Sequence, residues 1–141
     1  MVKAIIALPA LLLLGAAPPT TLEISVTGLR SEQGQVRLCL FRTADNFPDC
    51  SGDAAAIKRS APAREDMDIR IAGLASGSYA VALLHDENDN GRLDKRLGIP
   101  REGIGFSRNP RIIFGPPSFK SARFDASGPL VRENIKLKYF L

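Results

Sequence analysis

The chain has no tryptophan, one histidine and two cysteines among its 141 residues. A structural zinc site takes four Cys or His ligands, so this composition argues against one. Lysine and arginine are scattered along the sequence, and the net charge of +4 therefore does not predict a nucleic-acid partner, which needs a concentrated basic face. No repeat or low-complexity tract is present, and the length is typical of a single domain.

The first residues follow the pattern of a secretory signal peptide. Lys3 is the charged residue, 4–14 form an apolar run, and the small residues at 15–17 suit cleavage. The run is about a dozen residues, shorter than the roughly 20 that a membrane-spanning helix needs. We predict a signal peptide at 1–17 and one mature domain at 18–141 without a transmembrane segment, exported to the periplasm or the medium. A retained N-terminal anchor is the alternative.

Export changes the interpretation of the two cysteines. In an oxidising compartment a pair of cysteines normally forms a disulfide. We therefore predict a bond between Cys39 and Cys50, with a stabilising effect of about 3 kcal/mol for a loop of about a dozen residues. A redox or metal-binding pair is the alternative, but the sequence has no Cys-x-x-Cys motif.

Alternation of apolar and polar residues predicts β-strands along most of the chain. About seven short strands separated by turn signals, with no amphipathic helix of useful length, indicate an all-β fold: an antiparallel β-sandwich of immunoglobulin-like or transthyretin-like type. The first two strands are expected to pair as a hairpin, and 53–64 reads either as a helical turn or as a short edge strand. The predicted strands lie at 22–29, 35–42, 67–74, 79–84, 111–114, 121–125 and 130–139.

An acidic, oxygen-rich turn follows the central strand at 79–84. Four of its side chains and one backbone carbonyl match ligand positions of an EF-hand loop, with Gly91 at the sharp turn, and calcium prefers such hard oxygen ligands. The twelfth position is Leu97 rather than the required Glu, and a strand rather than a helix enters the loop. A calcium site would therefore need another ligand, such as Glu87, Asp89 or Glu102. The five predicted ligands are Asp86, Asn88, Asn90, Arg92 (through its carbonyl) and Asp94.

Two other interpretations of this turn stay open. Asp, Asn and Gly satisfy their own backbone in tight turns, so the same residues also predict a purely structural turn without metal. His85 beside Asp86 could instead belong to a hydrolytic or metal-assisted enzyme. No nucleophile or second histidine accompanies it, and we therefore expect no catalytic residue.

A long Gly/Pro/Phe-rich loop from Gly98 to Pro117 comes next. Loops of this length without regular structure are often functional. Its phenylalanines either cover one end of the sandwich or line a pocket, and we favour the covering role because loop aromatics need burial. Its arginines could bind an anionic ligand or pair with the acidic turn. The predicted binding-loop residues are Arg101, Glu102, Phe106 and Phe119.

These two regions carry a family resemblance. Together they resemble the bacterial family called domain of unknown function 2141, from about Leu22 to Leu141. Members usually have an Asn where this chain has Arg108. The resemblance implies a small exported bacterial domain and supplies no activity. The segments that carry it are 77–81, 85–94 (HDENDNGRLD), 97–107 (LGIPREGIGFS) and 114–119 (FGPPSF).

The sequence therefore predicts an exported β-sandwich that acts as a non-catalytic binding or envelope-associated module. Calcium is its one hypothetical cofactor, and its partner is an unidentified ligand or envelope component. A purely structural turn and an enzyme that uses His85 and Asp86 are the alternatives. A rigidifying turn should direct its Asx side chains onto their own backbone, whereas an enzyme should bring His85, an acid and a polar pocket together.

Overall fold

The computed structural model describes residues 2, 10 and 12–141. The greater part of the predicted signal peptide, residues 1, 3–9 and 11, lies outside the described residues. Within the part of the chain that is described, no helix is long and apolar enough to cross a membrane.

Ten strands and one short helix make up the described structure. The strands are β1 Thr20–Thr27, β2 Gln35–Phe41, β3 Ile57–Pro62, β4 Met67–Leu74, β5 Gly77–Asp86, β6 Lys95–Arg96, β7 Ile99–Pro100, β8 Gly103–Phe106, β9 Phe124–Ala126 and β10 Leu130–Lys136, and the helix is α1 Phe119–Ala122.

The strands form two main sheets, which confirms the prediction of an all-β sandwich. One sheet has the order β10-β1-β4, and the other has the order β3-β2-β5-β8, with β9 pairing beside the first residues of β5. β6 and β7 form a separate small hairpin. Most pairs are antiparallel, but β1 and β10 run parallel.

The main core lies between the two sheets. Strand alternation places every second side chain in this layer, as in Leu22, Ile24 and Val26 of β1, all fully buried. Val36, Leu38 and Leu40 of β2 face the same layer, as the sequence pattern predicts. The alternate residues of β2 and β5 therefore point to the outer face of the larger sheet. A second apolar cluster forms on that face.

The second cluster covers part of the outer face of the larger sheet. Phe47 contacts three other aromatic rings there: Phe41 at 5.1 Å, Phe106 at 5.9 Å and Phe119 at 5.8 Å between ring centroids. The rings of Phe106 and Phe119 join this cluster and so cover the outer face of the sheet rather than one end of the sandwich as predicted. Phe114 has no covering role, since it is 96% exposed.

The expected hairpin between the first two strands does not form. β1 pairs with β4 and β10, whereas β2 lies in the other sheet between β3 and β5. Alternation identifies a strand and its buried face, but it does not identify the neighbour. The connection passes Gly34, where a Cβ atom would lie 2.0 Å from the carbonyl oxygen of Asp86, so the chain crosses close against the end of β5.

Three local assignments change in the structure, and one that the sequence left open is resolved. Residues 111–114 form no strand, and 121–125 divide between the end of α1 and the start of β9. The ambiguous segment 53–64 contains β3, an edge strand of the larger sheet. The segment predicted as a loop from Gly98 to Pro117 includes the strands β7 and β8. In β8, a Cβ atom at Gly103 would strike Tyr139 and one at Gly105 would strike Ile135, so only glycine fits at these two positions.

Candidate functional site

The acidic turn begins at a buried carboxylate. Asp86, the last residue of β5, is fully buried. Its Oδ2 accepts hydrogen bonds from Arg37 Nε at 2.6 Å and from the Gly91 N–H at 2.8 Å, and its Oδ1 accepts from the Asn90 N–H at 3.1 Å. Burial by itself would raise the pKa of Asp86, but these donors hold that pKa below its ordinary value. Asp86 is therefore an ionised anchor for the turn.

The other side chains of the turn bond within the turn. Asn88 Oδ1 accepts from the Asn90 N–H at 3.3 Å, and Asn90 Oδ1 accepts from the Arg92 N–H at 3.1 Å. The amide groups of both asparagines donate to Asp94 Oδ2 at 2.8 Å. This is the arrangement that the structural interpretation predicts, since the Asx side chains satisfy their own backbone.

Arg37 occupies the position of a counter-ion in this turn. Its guanidinium also donates from Nη2 to Asp89 Oδ1 at 2.6 Å, so one cation forms ion pairs with both Asp86 and Asp89. Among the described residues, no group of three or more His, Cys, Asp or Glu is placed to hold a metal ion. Calcium at the five predicted ligands stays a prediction, and it would compete with Arg37 for the oxygens of Asp86.

His85 lies on the opposite face of β5 from Asp86. Its ring is fully buried between the sheets, with Nδ1 2.7 Å from the Tyr139 hydroxyl and Nε2 2.8 Å from the Gln33 carbonyl oxygen. A carbonyl only accepts, so Nε2 donates a hydrogen bond to the Gln33 carbonyl, and Nδ1 is hydrogen-bonded to the Tyr139 hydroxyl. Both nitrogens are therefore engaged in structural hydrogen bonds, and His85 lines neither of the cavities described next.

A small cavity of about 220 Å³ lies beside the turn, lined by Glu102 and Asp94 among others. The Glu102 side chain is buried, and its Oε2 accepts from the Asp94 N–H at 3.2 Å. Its Oε1 is buried and has no hydrogen-bond partner among the described residues. Burial raises the pKa of Glu102 above its ordinary value. Arg101, the neighbouring predicted residue, also lines this cavity, and its carbonyl accepts from Arg30 at 2.9 Å.

A much larger groove of about 880 Å³ crosses the outer face of the larger sheet. Cys39, Ala82, Leu84, Ile104 and Phe106 form its floor, because the pairing of β2, β5 and β8 places these residues on one face. The volume lies in the range of small-molecule sites, which are concave and mostly apolar. The groove is therefore the principal candidate site of this molecule.

Loops form the walls of the groove. The disulfide between Cys39 and Cys50, present as predicted with a Cα–Cα distance of 6.0 Å, fixes one wall to the floor. The β6–β7 hairpin and residues 112–116 form the opposite side. Gly91, Arg92 and Leu93 of the turn anchored by Asp86 also line the groove, so the anchor holds this part of the wall in place.

The polar groups on the rim are mainly cationic. Lys58, Arg59 and Lys95 line the groove and form no ion pair among the described residues. Asp49 is the one acidic residue in the lining. The groove thus combines an apolar floor with a positive rim.

Ser107 ties the long loop to the sheet. It is fully buried, its hydroxyl donates to the Ala122 carbonyl at 2.5 Å, and the same oxygen accepts from the Val81 N–H at 2.9 Å. Sequence reasoning assigned no role to Ser107 or to Arg37. Ser107 belongs to the G-I-G-F-S motif of the family resemblance, which marked it as a candidate for a specific role, whereas no motif includes Arg37.

Comparison with known proteins places the chain in one family. No curated protein and no solved structure matches it. One family model, described as "Uncharacterized protein conserved in bacteria (DUF2141)", matches residues 24–133. The match runs from the middle of β1 to the middle of β10 and includes the turn and the loops that line the groove. The chain belongs to this bacterial family, domain of unknown function 2141.

Proposed function

We propose that this protein is an exported, non-catalytic module that binds an elongated, mostly apolar ligand bearing an acidic group in the groove on the larger sheet. The observation that carries the proposal is the combination of an apolar floor with a cationic rim in about 880 Å³. An apolar tail would cover Ala82, Leu84 and Phe106, and a carboxylate or phosphate would meet Lys58 or Lys95 at the rim. Burial of the tail supplies affinity, and the charges orient the ligand.

Export is part of this proposal. The N-terminal residues 1–17 have the charged, apolar and small-residue pattern of a signal peptide. The disulfide between Cys39 and Cys50 suits an oxidising compartment, and the family is bacterial. The periplasm or the medium is therefore the proposed location.

The absence of catalysis is proposed from the position of the titratable groups. His85 is enclosed between the sheets, whereas the groove lies on the other side of β5. Asp86 is held by Arg37 and two backbone N–H groups. The groove lining does hold Asp49, which accepts a hydrogen bond from the Ser51 hydroxyl at 2.6 Å, and Lys58, but the one histidine of the chain is not among the lining residues, which suits binding rather than turnover.

Binding of a fluorescent long-chain fatty acid, with unlabelled oleate as competitor, tests the proposal. Ala82→Phe should fill the floor and lower the affinity about tenfold or more, because the tail can no longer be buried there. Lys58→Glu should weaken binding as well, whereas Arg64→Glu, an exposed site outside the groove lining, should not. Failure of the wild type to bind, or unchanged binding by a folded Ala82→Phe variant, would reject the groove as the site.

A second candidate function is calcium binding, favoured by the unpartnered oxygen of Glu102. Glu102 and Asp94 offer two carboxylates to the small cavity, where a cation would compete with the nearby Arg30 and Arg101. A buried carboxylate oxygen without a donor is the kind of group that a bound cation satisfies, and backbone oxygens or water would have to complete the shell.

Calorimetric titration with calcium separates this candidate from a metal-free cavity. Wild-type protein should release or absorb heat on binding, Glu102→Gln should lose that heat, and exposed Glu65→Gln should retain it. The absence of heat at millimolar calcium would leave the turn as a purely structural element held by Arg37.

A further inference from the structure

Two loops beside the groove expose large apolar side chains. Leu97 is 95% exposed, Phe114 is 96% exposed, and Ile113 is 67% exposed. Leu97 is adjacent to Gly98, and Phe114 lies between Ile113 and Gly115, all of which line the groove. The two tips therefore flank the same opening, and their near-complete exposure leaves these apolar side chains available for a contact outside the chain.

The backbone at Leu97 strengthens this conclusion. Leu97 and Gly98 form the two-residue connection of the β6–β7 hairpin, with φ angles of +50° and +77°. Such turns favour Asn, Asp or Gly at both positions, and a leucine at positive φ costs about 1 kcal/mol. The exposed side chain makes no packing contact that offsets this cost. A residue that disfavours its own turn and is not buried is explained by a role at a surface.

The segment that carries both tips also carries the surplus of positive charge, and two of its cations, Arg92 and Lys95, line the groove. Residues 92–117 contain six Lys or Arg and two Asp or Glu, a surplus of four that equals the formal net charge of the whole chain, +4. All six cations are exposed, whereas Glu102 is buried and Asp94 is half-buried. The basic residues look scattered along the sequence, yet the entire excess lies in the segment that also carries Leu97 and Phe114.

We propose that this face docks on an anionic phospholipid bilayer, with Leu97 and Phe114 entering the interface and the surrounding cations contacting lipid phosphates. Two separate apolar tips among cations suit a bilayer, which accepts apolar side chains at any spacing and attracts basic residues at its surface. The charge complementarity is provided by residues such as Lys95, Arg96 and Arg111. Docking in this orientation does not depend on occupancy of the groove, although it would place the groove mouth at the lipid surface.

The lack of tryptophan makes a direct test of insertion available. Phe114→Trp introduces a single tryptophan at one tip, and Leu130→Trp introduces one at an exposed site on β10 in the smaller sheet. With phosphatidylglycerol vesicles, emission from position 114 should shift to shorter wavelength and be quenched by brominated acyl chains, while emission from position 130 should not change. The same emission at position 114 with and without vesicles would overturn the proposal.

Sedimentation with vesicles measures the contribution of each tip. Wild-type protein should sediment with phosphatidylglycerol vesicles, much less with phosphatidylcholine vesicles, and less at high salt because the phosphate contacts are screened. Leu97→Asn, which suits the turn, should lower the partition coefficient about tenfold, and Leu130→Asn should leave it unchanged. Full binding by Leu97→Asn, or no binding by the wild type, would contradict insertion. All variants share one N-terminus, so residues 4–14 contribute equally.

The same variants separate docking from ligand binding. Leu97 is outside the groove lining, so Leu97→Asn should bind soluble fatty acid as the wild type does while losing vesicle binding. Ala82→Phe should show the opposite pattern. Loss of both activities in both variants would mean that one surface serves both, which would reject independent docking.

Discussion

Arg37 and Asp86 form an ion pair that joins β2 to the end of β5, and only the arginine is partly exposed to solvent. The distance from Nε to Oδ2 is 2.6 Å, the Asp86 side chain is fully buried, and the Arg37 side chain is 33% exposed. Asp86 also holds the N–H groups of Asn90 and Gly91. The pair therefore connects the larger sheet to the turn that supports one wall of the groove.

The first prediction concerns Asp86→Asn. The substitution leaves the Arg37 guanidinium without its buried partner and should lower the free energy of unfolding by about 3 kcal/mol. Thermal melting measures the effect at neutral pH, and Ser25→Ala, which removes an exposed bond to Asp68, is the control with a small expected change. A melting temperature equal to that of the wild type would show that the ion pair contributes little to the stability of the fold.

The difference in stability between the wild type and Asp86→Asn should depend on pH, because folding lowers the pKa of Asp86. A carboxyl whose pKa is depressed by folding stabilises the protein above its ordinary value of 3.8 and loses that contribution as the pH falls through the folded pKa. The wild type and Asp86→Asn should therefore converge in stability on acidification below about 3.8. A constant gap between the two melting temperatures through this range would contradict the assignment.

Glu102→Gln should behave in the opposite way. Burial raises the pKa of Glu102 above its ordinary value of 4.5, so the folded state binds its proton more tightly than the unfolded state. That contribution is present at pH values below 4.5 and is lost as the pH rises through the folded pKa. In the presence of a chelator, the glutamine variant should gain stability relative to the wild type as the pH rises from 4 to 8. Melting curves across this range test the sign, with Glu65→Gln expected to show no such trend.

Ser107→Ala should destabilise the fold through two lost hydrogen bonds. Removal of the buried hydroxyl leaves the Val81 N–H and the Ala122 carbonyl without this partner and should cost about 1–3 kcal/mol. Ser121→Ala removes an exposed hydroxyl that donates to the Ser118 carbonyl, and it should cost less than about 0.5 kcal/mol. Denaturant unfolding of both variants gives the comparison, and equal losses would mean that burial of Ser107 adds nothing.

Gly34→Ala and Gly73→Ala form a matched pair. Both glycines have positive φ angles, +71° and +75°, but only a Cβ at position 34 meets backbone, 2.0 Å from the Asp86 carbonyl oxygen. The substitution at Gly73 should cost about 1 kcal/mol from backbone strain alone. That at Gly34 should cost more than about 3 kcal/mol, because the crossing between the sheets must shift. Similar melting temperatures for the two variants would show that this crossing tolerates movement.

Local patterns in the sequence were sufficient for several features. Strand alternation located β1, β2 and β4 and the buried face of β2, and a nearly continuous apolar run located β5, because that information lies within a few consecutive residues. With only two cysteines, the pairing of Cys39 with Cys50 had one intramolecular solution. The family resemblance rested on contiguous motifs such as the turn at 85–94, and the family match confirms it.

The tertiary structure decided what depends on residues far apart in the chain. Arg37 and Asp86 are 49 positions apart, and Ser107 is 26 positions from Val81, so neither contact can be predicted from a local sequence pattern. The groove is likewise assembled from β2, β5, β8 and three loops. Alternation determined which side chains are buried, but only the pairing order of the strands decided which of them share a face, because strand neighbours are selected by packing across the whole molecule and not by adjacent sequence.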